Sequence, residues 1–164
     1  MRFRRAKTFV PYSALWCKSG LSDKSSRFES RSTGVPAGIG RVWALCDSFL
    51  LYVERSIFPG GCFFEAAAAE FDSRPGRVRD SVIENRRYLV ESLARAIRRA
   101  QVVGDVEQSV DADQVAWELN CLLIGANGTY VIDGGKFVFQ RARSAIRDRL
   151  QRAASRPPAE LPAL

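Results

Sequence analysis

Histidine is absent from this 164-residue chain. That removes the commonest general base, the usual partner of a Ser or Cys nucleophile and the commonest metal ligand. The four cysteines, Cys17, Cys46, Cys62 and Cys121, are scattered, with no pair at metal-ligand or redox spacing. They read as reduced, mostly buried thiols. Glu65 and Glu70 lie five apart, too far round a helix for a neat acid pair, so capping or pairing with arginines is their simpler use. No catalytic constellation, cofactor motif or metal set is left, and the chain reads as a non-enzyme without cofactor. The polar side chains of interest are Asn120 and Asn127, set in an otherwise apolar stretch. Seven residues apart, they share one helix face, and a buried amide needs partners. The chemistry this allows is recognition, because ligand sites combine apolar walls with a few polar groups. The candidate pocket residues are Trp43, Phe49, Phe63, Phe64, Trp117, Asn120, Asn127 and Tyr130. The ligand they suit is a small apolar or amphipathic effector. Large rings at helical spacing also simply fill cores, and for each aromatic that alternative stands.

These residues need a scaffold, and the composition allows one ordinary domain with a short appendage. Hydrophobic residues make up 46% and charged residues 26%, the balance of a globular protein able to bury its apolar side chains. The most apolar region, Val115 to Ile132, is interrupted by Glu118, Asn120, Asn127 and Thr129, so no membrane span is expected. The basic start lacks a clean signal-peptide pattern, and the expected location is the cytoplasm. Residues 1–40 hold eight Lys/Arg against Asp23 and Glu29, a net +6, whereas the remainder holds 17 basic and 16 acidic residues. The overall charge of +7 therefore sits in the N-terminal quarter, where it would attract phosphates. A basic, Ser-rich leader in solvent has the same composition.

Order is expected to begin near Arg41, after the Ser-, Arg- and Gly-rich segment Lys18 to Gly40. Val42, Leu45, Cys46, Phe49, Leu50, Val53 and Ile57 recur at three- and four-residue intervals, which predicts a helix that Phe58-Pro59-Gly60-Gly61 stops. A second helix is predicted from about Cys62 to Asp72. A third restarts at Ser73-Arg74-Pro75, with the proline in its first turn, and runs to Gly104. Its Arg-rich face reads as solvated surface. Asp111 through Gln114 nearly matches a capping box and opens a fourth helix, which Asp133-Gly134-Gly135 breaks. A fifth runs from Lys136 to about Ala153, and the Pro-rich end reads as a loose tail. No strand pattern appears. The fold class is all-α: about five helices over 41–153, a poorly structured or partly helical remnant over 1–40, and a flexible tail over 154–164.

The segment from Phe58 to Asp80, and Glu118-Leu119-Asn120 followed by Leu122 to Asn127, closely resemble the C-terminal domain of a branch of TetR-family regulators. The resemblance covers roughly Arg41 to Arg152. It implies an all-α domain that holds a small-molecule pocket and forms a homodimer through its last two helices. Leu122, Gly125, Ala126, Phe139, Ala142, Ile146 and Leu150 are the expected interface positions, though packing inside one chain would give the same periodicity. Such regulators begin with a three-helix DNA-binding module. Lys18-Ser19-Gly20-Leu21 resembles the end of its recognition helix, and Lys18, Ser19 and Lys24 are the candidate DNA contacts. The pattern expected next is replaced by Ser22 to Phe28, and forty residues are too few for three helices and a linker. The segment is therefore expected to be a truncated remnant, and the chain a TetR-type repressor impaired in DNA binding, with DNA a partner only if that remnant works. The alternative is a stand-alone ligand-binding and dimerisation module.

Overall fold

Apolar spacing of three and four becomes five helices in the computed structural model, which describes residues 34–156. They are α1 (Ile39–Glu54), α2 (Phe63–Phe71), α3 (Arg77–Val102), α4 (Ala112–Asp133) and α5 (Phe137–Ala153). Among the described residues the β-structure is one isolated bridge, Val106 to Ala154. The stripe Val42, Leu45, Cys46, Phe49, Leu50 and Val53 of α1 is buried against Leu93, Ile97 and Ala100 of α3, Leu119 and Leu123 of α4, and Phe139, Ile146 and Leu150 of α5. Each large apolar side chain taken out of water here stabilises the fold by about 1.5–3 kcal/mol. α2 stands apart. Its Phe63 and Ala67 pack on Val82 of α3 in a small satellite cluster beside the main core.

The bundle has two poles. At one, the N-termini of α1 and α4 meet the C-termini of α3 and α5; at the other, α1 ends, α2 begins and α4 turns into α5. At the first pole α1 starts at Ile39, two residues before the expected Arg41, because the Asp105 carboxylate accepts from the Ile39 amide at 3.0 Å. A carboxylate there meets both an orphan N–H and the positive end of the helix dipole. The same loop holds the other end of the chain: Glu107 N donates to Ala153 O and Ser155 N to Asp105 O, each at 3.0 Å. The loose tail expected from residue 154 thus begins pinned.

Two local expectations change. Pro75 stands before the first turn of α3, which starts at Arg77 after an N-cap at Gly76 with φ 141°. Asp111 does cap α4, accepting from Asp113 N and Gln114 N at 2.9 and 3.1 Å. The return half of the capping box is not made, since the Gln114 amide donates instead to Glu118 at 2.9 Å. A buried clip closes α5 on α1: the Arg143 guanidinium donates to Asp47 at 2.7 Å and to Glu54 at 3.0 Å.

Candidate functional site

At the second pole the chain leaves α1 through Ser56, at φ 49°, and turns on Gly60 and Gly61, at φ 86° and 84°. Such angles favour glycine. Gly61 has a second reason: a Cβ there would collide with Asn127 Oδ1 and lie 2.7 Å from Val131 Cγ2, so the turn sits with its backbone flat on α4. The next two amides belong to the N-cap and first residue of α2 and have no carbonyl within that helix to meet. Side chains meet them instead. Cys62 N donates to Asn127 Oδ1 of α4 at 2.7 Å, and Phe63 N donates to the Tyr52 hydroxyl of α1 at 3.2 Å. A third link pairs the hydroxyls of Ser56 and Tyr130 at 3.2 Å. Around these polar points runs a chain of rings, Phe49, Tyr52, Phe58, Phe63 and Phe64, with successive centroids 5.4–6.2 Å apart. Tyr130 adds a contact to Phe139 at 4.9 Å. These spacings suit tilted and edge-to-face packing.

The site is neutral. Burial pushes the Tyr52 phenol up from its ordinary range, and the neighbouring Cys62 adds to the effect. Burial likewise raises the Cys62 thiol. Both stay protonated at neutral pH, so Cys62 is not an activated nucleophile. Glu65, in the first turn of α2, is also raised by burial, with the Arg86 guanidinium 3.4 Å away pulling the other way. Among the described residues no group of His, Cys, Asp or Glu is placed to hold a metal ion. Neither Tyr52 nor Cys62 is poised to give up a proton at neutral pH.

Of the expected pocket residues, Phe49, Phe63, Phe64, Asn127 and Tyr130 come together here. Trp43 does not: it is buried, with the Arg147 guanidinium 5.1 Å from its ring centre. Trp117 is 57% exposed on the outside of α4, and Asn120 is half-buried two turns away from Asn127. Tyr52, Ser56, Phe58 and Cys62 join the site without having been singled out. Tyr52 follows Phe49 by three residues on α1 and was visible as a periodic aromatic; Ser56, Phe58 and Cys62 lie in the turn, where periodicity says nothing. Lys18, Ser19 and Lys24 lie outside the described residues.

The expected interface positions divide. Ala126, Phe139, Ala142, Ile146 and Leu150 are buried in the core of the single chain, because α1 packs over that side of the hairpin. Leu122 is half-buried and Gly125 exposed. The uncovered side of α4 carries Trp117, Cys121, Gly125 and Ile132, the last 85% exposed.

The family described as the tetracyclin repressor-like C-terminal domain matches residues 38–154. A TetR transcriptional regulator from Chloroflexus aurantiacus J-10-FL superposes with TM-score 0.73 at 22% identity, over 81% of this chain and 67% of that one. A transcriptional regulator of the TetR family from Cytophaga hutchinsonii gives TM-score 0.74 at 14% identity, over 88% and 70%. At those identities the likeness is one of fold. The search of curated proteins gives no match.

Proposed function

The chain belongs to the tetracyclin repressor-like C-terminal domain family, and from that premise we propose that it is the sensing and dimerising part of a TetR-type transcriptional regulator, a repressor. One observation carries the reading: α4 is apolar on two opposite sides. Its inner side enters the core and, through Asn127, tethers the start of α2. Its outer side, Trp117, Cys121, Gly125 and Ile132, is left uncovered. An exposed apolar stripe of that kind marks a contact surface, and a second copy supplies the same stripe across a two-fold axis. An effector at the second pole would bear on the Tyr52 and Asn127 tethers, and the same helix would carry the change to the partner. Binding acts on such an equilibrium only through its different affinity for the two states.

The test is sedimentation equilibrium of the wild type and Trp117→Asp. Expected is a dimer for the first and a monomer of unchanged helicity for the second. A wild type that stays monomeric at high concentration would overturn the reading. Among the described residues no helix is long and apolar enough to cross a membrane.

A further inference from the structure

We propose that the α1–α2–α4 junction takes an uncharged molecule with an apolar or aromatic body and a carbonyl oxygen, and that Asn127 Nδ2 donates to that oxygen. The inference rests on the effector reading above and gives the effector a chemical class.

The orientation of the Asn127 amide is fixed by its partner. Cys62 N–H is a donor, so the atom facing it at 2.7 Å has to be the oxygen. That leaves the NH2 end as a donor. Among the described residues nothing accepts from it, and it keeps contact with solvent although Asn127 as a whole is 6% exposed. A nearly buried amide with one unused donor is the group an acceptor-bearing ligand would satisfy.

The surroundings set the rest of the class. The rings of Tyr52, Phe58 and Phe63 pack on one another at the junction and make its surroundings apolar and aromatic. The charged groups on the surrounding helices are paired with one another, Glu65 with Arg86 and Arg143 with both Asp47 and Glu54. A charged ligand would have to give up water against these apolar rings, which is costly.

Calorimetric titration of the full chain with four probes sharing one ring tests this: acetophenone, ethylbenzene, benzoate and benzylammonium. Expected is saturable binding of acetophenone roughly threefold to tenfold tighter than ethylbenzene, the range of one neutral hydrogen bond, with both ions weaker than either. In Asn127→Asp, which keeps the acceptor for Cys62 but loses the NH2, the preference for the ketone over the hydrocarbon disappears. Asn127→Leu, checked for helicity and melting, gives the same loss. Equal affinities in the wild type, a preference kept by Asn127→Asp, or tighter binding of an ion overturns the proposed class and leaves the junction as a site. Absence of saturable binding by all four probes overturns the class together with the effector reading.

Discussion

Two glutamates show how placement decides what a carboxylate does for the fold. Glu118 accepts from Arg149 and from Gln114, and these hydrogen bonds hold its acidity below the ordinary value. A folded-state pKa below the unfolded one means stability that is present above the unfolded value and lost as pH falls through the folded one. Glu65 has the opposite sign: burial raises it, so its ionised form costs stability that is regained as pH falls. Glu118→Gln should therefore lower the melting temperature at neutral pH, by the equivalent of about 0.5 kcal/mol after solvent screening. Glu65→Gln should raise it. Both differences should close in acid, and thermal melts across pH check this. Pairing of Glu65 with an arginine was legible in the sequence; that the arginine is Arg86, twenty-one residues on, was not. Trp117 was misplaced for a physical reason. Periodicity marks both apolar sides of α4 equally and does not say which one other helices cover.

At the scale of elements, the sequence was informative wherever the physics is local. The helix spacings, the Pro-Gly-Gly stop and the Asp111 cap are set by residues within one or two turns of each other. The early start of α1 and the Arg143 clip were illegible, because their partners lie 66 and 96 residues away along the chain. The tethering of α2 combines both cases. Asn127 stood out as an amide in an apolar helix, but its partner is a backbone N–H in a turn, which composition cannot reveal. α2 itself is short, packs largely in a separate small cluster and is joined to the main core by Phe64 and by these tethers. Gly61→Ala should loosen this junction: the positive φ is strained for alanine, by about 1 kcal/mol or more, and the new methyl group meets Asn127 and Val131. The expected result is faster amide exchange at Cys62 and Phe63 with α4 protection retained. Asp111→Ala is the contrasting case, since a lost cap costs about 1 kcal/mol spread over the whole fold, and global exchange should rise evenly.

For the whole molecule, the uneven charge matters most. Residues 1–40 carry a net +6 while the helical part is nearly neutral. Attraction of such a segment to phosphates is governed by counterion release, and six contacts would lose about a thousandfold in affinity between roughly 50 and 200 mM salt. We expect gel shifts with unrelated DNA sequences to show equal binding that fades along that course. A salt-resistant preference for one sequence would mean that the basic segment reads bases.

The loop around Asp105 holds both the start of α1 and the residues after α5, so the described chain begins and finishes at the same pole. The junction of Tyr52, Cys62 and Asn127 lies at the other, about 24 Å away along sixteen residues of α1. A fluorophore pair placed near residues 36 and 156 would therefore stay close together and be blind to anything arriving at the far pole. Moving one dye to Ile57 puts the length of the bundle between them, so energy transfer would gauge any movement that the proposed effector imposes at that end.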